Sequence, residues 1–258
     1  MNVINQVSAT IIRILRSSYT SFAILTIVFT FFSLSAVATE NNSAKPSADR
    51  LLKMADDVRN PSETFKMTIA VRTSSTDQTF DVFLKGKEKT LVVVKSPAKD
   101  RGRNMLMLDR DFHAYIPNLK KSIRLSLAQK MSGEVSNGDI ARTRWHGDYT
   151  ATLEKEEDKE AVLFLEGNKP MLTYQKIRLW VDKQNARPSR AEFLGLDGKT
   201  VLKRARYTEY KQIAGSLRPT SLVIEDVTGK SSTISILDME KADFADSVFT
   251  LQNLEKVR

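Results

Sequence analysis

Cysteine is absent from all 258 residues. That excludes disulfides, thiol nucleophiles and thiolate-held metals, and it leaves no cysteine to accept a lipid anchor. Histidine is nearly absent: only His113 and His146 occur, with no H-x-x-x-H spacing, so a metal centre lacks its commonest donors. No G-x-S-x-G elbow, phosphate-cradling glycine loop or dinucleotide fingerprint is present. Carboxylates do cluster between Glu154 and Glu160, but Lys155 and Lys159 interrupt the run, which reads as a solvated hairpin end rather than an acid/base pair. These absences predict no cofactor, no metal and no catalytic residues, so the expected function is not enzymatic.

Long apolar runs are also lacking, except near the N-terminus. Arg13 and Arg16 precede an apolar stretch from Phe22 to Leu34, which ends in Ala36-Val37-Ala38. Charge, apolar core and a small-residue triplet in that order predict a secretory signal peptide over residues 1–38, cleaved before Thr39. The competing reading is an uncleaved anchor, because Tyr19 to Ala38 just reaches the ~20 residues a spanning helix needs. Residues 39–47, polar and carrying Pro46, read as a flexible leader. The expected location is the periplasm. The formal charge of +9, less the two signal-segment arginines, leaves +7. That excess suits an anionic membrane leaflet or an acidic partner, whereas export and the scatter of basic residues argue against nucleic acid.

One convincing helix follows. Ser47 is placed to cap it, Leu51, Leu52, Ala55 and Val58 make one apolar stripe, and Pro61 stops it. From Thr64 the period changes to two, with Phe65, Met67, Ile69 and Val71 alternating against Thr64, Lys66, Thr68 and Ala70. The same alternation returns over residues 80–84, 91–94, 105–108, 112–116, 123–127, 149–153, 161–165, 177–181, 190–194, 201–207, 221–227 and 233–239. Short strands joined by turns such as Asp197-Gly198 and Thr228-Gly229 predict an antiparallel meander. A sheet this long must curl, because twist accumulates and open edges invite aggregation. The expected fold is therefore mainly β: a curved, half-closed antiparallel barrel covered by the Ser47–Val58 helix, in one domain over residues 48–258.

Such a barrel is either filled or left open for a ligand. Candidate lining residues for an apolar cavity are Phe65, Met67, Ile69, Phe80, Val82, Leu84, Met105 and Met107, with methionine suited to an irregular greasy ligand. Alternation alone does not say which strand face turns inward, and ordinary core packing is the commoner role for each of these residue types. Between Leu127 and Tyr149 the pattern breaks for about 20 residues. Met131, Ile140 and Trp145 lie there among glycines and predict either a gating lid or short helix near the cavity mouth, or a plain surface loop. Lys120, Lys121 and Arg124 form a basic patch, and Lys203, Arg204 and Arg206 a second, each read as a membrane or partner contact or as an ordinary solvated face.

Three stretches resemble one family. "SPAKDRGRNMLMLDRDFHAYIPNLKKSIRLS" (Ser96 to Ser126) has a Pro, an Arg-Gly pair, a strand and Tyr-x-Pro followed by basic residues. "KIRLWVDKQNARPSRAEFLGLDGKTVLK" (Lys176 to Lys203) carries Trp-Val-Asp, Pro and Asp-Gly-Lys in order, and "ADFADSVFTLQNLEK" (Ala242 to Lys256) matches the closing segment. These are similar to the outer-membrane lipoprotein-sorting proteins related to the LolA carrier, over about residues 48–256. The resemblance implies a half-closed barrel whose apolar cavity shields lipid acyl chains in the periplasm, with an inner-membrane exporter or permease as partner. Where the family carries an aromatic-rich segment, this chain has "MSGEVSNGDIARTRW" from Met131 to Trp145. The function expected is a carrier that binds a lipid acyl chain or lipoprotein and passes it to a membrane partner. A periplasmic sensor for lipids or lipoproteins, and a hydrolase acting on envelope polymer, stand as alternatives.

Overall fold

A residue stripe spaced for a helix and runs spaced for strands place their apolar side chains on one side of each element, so those sides must meet. The computed structural model describes residues 47–60, 64–142 and 144–257. The expected signal peptide, most of the leader and Pro61 lie outside the described residues. Helix α1 (Ala48–Arg59) starts where Ser47 Oγ accepts the Arg50 N–H at 3.3 Å. It buries Leu51, Leu52, Ala55 and Asp56. Among the described residues no helix is long and apolar enough to cross a membrane.

The thirteen expected strands all form, in one sheet. In chain order they are β1 (Thr64–Arg72), β2 (Asp77–Lys85), β3 (Lys89–Ser96), β4 (Met105–Leu108), β5 (Asp111–Ile116) and β6 (Lys121–Leu125). After two short strands outside this sheet, β7 (Lys130–Ser132) and β8 (Val135–Ser136), come β9 (Tyr149–Glu156), β10 (Glu160–Gly167), β11 (Lys176–Asp182) and β12 (Pro188–Leu194). The last three are β13 (Val201–Ile213), β14 (Ser216–Asp226) and β15 (Ser231–Lys241). Their spatial order is β6-β5-β4-β3-β2-β1-β15-β14-β13-β12-β11-β10-β9. Two hairpin meanders thus meet where the first strand pairs the last, Met67 opposite Met239 and Val71 opposite Ile234. The end strands β6 and β9 do not pair with each other, so the sheet stays open, as a half-closed barrel does.

Register carries one apolar face across the molecule. Met67 faces Val82, Val82 faces Val92, Val92 faces Met105 and Met105 faces Ala114. This inner face holds two large clusters. One, over β1–β5, β14 and β15, takes in Ile140 and Ala141 of a five-residue helix α2 (Asn137–Ala141); the other, over β9–β13, receives Leu51, Leu52 and Ala55 of α1. Strand β3 is buried on both sides, because its alternate residues Leu91 and Val93 lie under Phe249 and Leu254 of the C-terminal segment. That segment ends in helix α3 (Leu251–Lys256). Each such Leu or Phe kept from water contributes about 1.5–3 kcal/mol.

The exposed edge is managed by chemistry. Strand β9 shows Glu154, Lys155 and Glu156 to solvent, and charges on an edge discourage strand addition. One of its edge amides, Ala151 N–H, donates to Asp49 Oδ1 of α1 at 2.8 Å. Beyond the strands, β7, β8 and α2 occupy the 127–149 break, and β13 and β14 run past their expected ends to a turn at Ala214-Gly215.

Candidate functional site

The C-terminal end of α1 and helix α2 rest on the inner face where the two meanders join, and a cavity of about 70 Å³ lies beneath them. Its apolar wall is Met67 and Ile69 from β1, Ile140 from α2, Leu222 from β14, and Ile234, Ile236 and Met239 from β15. Arg59, Asn60, Asp139 and Tyr207 supply polar atoms along its rim. A second cavity of about 40 Å³ lies on the other side of Arg59 and Asp139, walled by Arg142, Trp145, Tyr149, Tyr174 and Phe193.

Helix α2 is held by polar links. Asp139 Oδ2 accepts the Ser136 N–H at 2.7 Å in a capping box, and Tyr174 Oη donates to Asp139 Oδ1 at 3.1 Å. Lys203 Nζ donates to Glu134 O at 2.7 Å, to Ser136 Oγ at 2.8 Å and to Tyr174 Oη at 3.3 Å. Burial pushes the Asp139 carboxyl above the usual carboxylate range, against the pull of Lys203, and pulls the Lys203 ammonium below the usual lysine range. Gly138 is required by a close approach, since a Cβ there would lie 1.7 Å from Thr173 Oγ1. Each donor of this relay has an acceptor, so its chemistry is to hold a helix in place.

At the end of α1, Asp56 Oδ2 accepts the backbone N–H groups of Trp145 and His146, both at 3.1 Å, and Oδ1 accepts Asn60 Nδ2 at 3.0 Å. Burial raises the Asp56 carboxyl, although Arg59 pulls the other way. The Arg59 guanidinium stacks on Trp145, 3.7 Å from the ring centroid, and Trp145 meets Tyr207 edge to face. Arg59 Nη1 is buried without a hydrogen-bond acceptor among the described residues, and stands 3.9 Å from Asp56 Oδ1. Below it the fully buried Arg218 donates to Val58 O, Arg59 O and Ile213 O, tying the helix end to the sheet.

The eight lining candidates Phe65, Met67, Ile69, Phe80, Val82, Leu84, Met105 and Met107 all share the inner face and one cluster. Only Met67 and Ile69 reach the cavity; the other six pack beside it. Met131 is half-buried against the same cluster and Ile140 forms part of the cavity wall. Trp145 sits in the other cluster. Lys120 and Lys121 are exposed at the β5–β6 turn, and Arg124 pairs with Asp111 at 2.5 Å.

Arg59, Asp139 and the β14–β15 wall were not among the sequence candidates, and Lys203, expected in a basic cluster on the surface, is instead buried, because its ammonium turns inward to Glu134 O and Ser136 Oγ. Two signals were available: Arg59 continues the helical stripe of Ala55 by four positions, and Lys203 shares the strand phase of the buried Ala205 and Tyr207. The β1–β15 pairing that brings the wall to Met67 left no local trace.

A family model described only as an uncharacterized protein matches residues 86–256. The crystal structure of a LolA superfamily protein from Nitrosomonas europaea is 36% identical, covering 81% of this chain and 99% of that one, with a TM-score of 0.74. The chain belongs to the LolA superfamily. Two more distant members of the fold are a DUF1329 family protein from Desulfovibrio piger, 20% identical over 80% of this chain and 97% of that one with a TM-score of 0.68, and a Vibrio parahaemolyticus domain. The second is described as an outer membrane lipoprotein-sorting protein domain, 19% identical over 81% of this chain and 98% of that one, with a TM-score of 0.67. None of the curated proteins matches the sequence. In this LolA superfamily chain the cavity lies where the sheet's first and last strands pair beneath two covering helices.

Proposed function

We propose that this protein is an exported periplasmic carrier that receives an acyl chain, free or attached to a lipoprotein, on the inner face of its sheet and passes it to a membrane partner. The observation that supports this most is the cavity under α1 and α2, whose wall of Met67, Ile69, Leu222, Ile234, Ile236 and Met239 is the chemistry of an alkyl chain. Shielding is what such cargo needs: at about 0.8 kcal/mol per methylene, a 16-carbon chain in water costs on the order of 13 kcal/mol. No reactive group is required for that task.

The cavity is smaller than the roughly 300–1,000 Å³ of ordinary ligand sites, so loading displaces a covering element. Helix α2 is the piece suited to move. It is five residues long and held by side-chain hydrogen bonds worth about 1 kcal/mol each against water, whereas the strands below are tied by continuous ladders. In this reading the 128–147 segment gates the site, Arg13, Arg16 and the Ala36–Ala38 triplet direct export, and Lys120, Lys121 and Arg124 face the membrane or an inner-membrane exporter or permease. Membership of a superfamily with lipoprotein-sorting neighbours in fold supports the assignment.

Native mass spectrometry of protein purified from the periplasm, combined with fluorescent fatty-acid titration, tests it. Co-purified lipid and saturable binding are expected. A bare polypeptide mass together with no fatty-acid binding overturns it.

A further inference from the structure

An alkyl chain alone does not explain a half-buried arginine with a buried, unpartnered Nη1 among the residues lining an apolar cavity. Arg59 Nη1 has no hydrogen-bond acceptor among the described residues, and an unmatched buried donor costs free energy that a native interior seldom leaves unspent. The neighbouring carboxylates attract it but form no hydrogen bond with Nη1, the Asp56 ion pair being loose at 3.9 Å. Asp56 spends Oδ2 on two backbone amides and Oδ1 on Asn60, leaving Arg59 Nη1 at 3.9 Å, beyond hydrogen-bond reach. Asp139, on the same rim, is engaged by Ser136 N–H and Tyr174 Oη and lies in the field of Lys203.

The guanidinium is also preset. Stacking on Trp145 at 3.7 Å, with Tyr207 at 5.3 Å, fixes its plane, and the main-chain oxygen of Arg59 is anchored by Arg218 at 3.2 Å. A planar fork held by an aromatic face is the form in which arginine recognises carboxylate or phosphate oxygens. Directly beside it runs the alkyl-lined wall of Met67, Ile69, Leu222 and Met239.

We infer that the cargo is an anionic amphiphile: its carboxylate or phosphate oxygens accept from Arg59 Nη1 at the junction of the two cavities, and its alkyl chain enters along β1, β14 and β15. This rests on the carrier reading and narrows it to a class of ligand. It also gives the site a polarity, since the charged end stops at Arg59 and the chain fixes its direction along the sheet.

The test compares ligands of one chain length and different heads. Palmitate, hexadecyl phosphate and the neutral hexadecanol are titrated into protein expressed from the full chain, following displacement of a neutral apolar fluorophore. Acetate and inorganic phosphate are the chainless controls. Wild type is expected to bind the two anionic ligands about ten- to a hundredfold more tightly than hexadecanol, the range of a charge-assisted hydrogen bond. Arg59→Met should erase that preference, weakening palmitate and hexadecyl phosphate binding by about ten- to a hundredfold relative to hexadecanol, and Arg59→Lys should restore part of it. Equal binding of palmitate and hexadecanol to wild type overturns the inference and leaves the carrier reading standing, a comparison that decides even where Arg59→Met does not fold. Displacement by acetate or phosphate alone at palmitate concentrations overturns it in favour of a free-anion site. Failure of all three long-chain ligands overturns the inference together with the carrier reading itself.

Discussion

Arg142 grips Asp148 with two prongs, Nε to Oδ2 at 2.5 Å and Nη2 to Oδ1 at 2.8 Å, and each side chain is only 6% exposed. The pair closes the segment that carries Trp145 and His146 onto the end of α1, and Arg142 Nη1 also donates to Asp109 O at 2.9 Å. Removing one partner strands a buried charge. Arg142→Met is expected to cost about 3 kcal/mol, at the lower end for a buried pair because Lys169 at 3.0 Å still reaches Asp148. Urea unfolding measures it.

The same pair sets an acid limit. Burial alone would raise the Asp148 carboxyl, but the bonds and charge of Arg142, then those of Lys169, outweigh it and hold the group below its ordinary value of 3.8. A carboxyl depressed by folding contributes stability that is present above the unfolded value and is lost as pH falls through the folded one. Urea midpoints of the wild type should therefore drop as pH is lowered below about 4, and Asp148→Asn should flatten that part of the profile. Parallel profiles for the two proteins would show that Asp148 does not set the acid limit.

Met67 and Val82 face each other across β1 and β2, yet they predict different outcomes. Val82 is fully buried in the packed cluster, where a new carboxylate costs several kcal/mol and Val82→Glu is expected to unfold the domain. Met67 borders the cavity, where a carboxylate has room for water, so Met67→Glu should keep its strand signal by circular dichroism and lose fatty-acid binding. Unfolding of both variants would make the inner face a closed core.

The sheet was legible because period-two alternation is local, and each of the thirteen runs overlaps a strand of the sheet, the runs 123–127 and 221–227 overshooting β6 and β14 by one or two residues. What covers it was not. Helix α2 has five residues, too few for a helical period, and its position depends on Gly138 approaching Thr173 and on Lys203 reaching Ser136 from β13. The candidate residues were found as a face and not as a site. Phe65, Phe80, Val82, Leu84, Met105 and Met107 obey the same pattern as Met67 and Ile69, and only the pairing of β1 with β15 decides which of them meets the cavity. Residues 1–38, on which the expectation of export depends, lie outside the described residues.

Arg218 offers a separate handle on the covering helix. It is fully buried and donates to Val58 O and Arg59 O at the last turn of α1, to Ile213 O, and to Ser216 Oγ. Arg218→Met fills much of the same volume and leaves those carbonyls unmatched, at about 1–3 kcal/mol for each group left without a partner. Hydrogen exchange should accelerate at the amides of α1, through Arg59, more than in β1 or β2. Uniform acceleration across the domain would mean that Arg218 supports the whole fold rather than the helix end.

Trp145 is placed to report on loading. Its ring lies under Arg59 and is 5% exposed, whereas Trp180 sits on the other face of the sheet beneath Arg190 at 4.5 Å. Trp180→Phe therefore isolates a signal from the cavity end. If cargo displaces α2 and engages Arg59, the Trp145 emission should shift as palmitate is added, following the same isotherm as binding. Asp139→Asn weakens the α2 capping box, worth about 1 kcal/mol, so release should quicken by about fivefold with loading preserved. An unshifted Trp145 spectrum at saturating palmitate, with an unchanged release rate in Asp139→Asn, would remove α2 and its flanking segment from the path of the cargo.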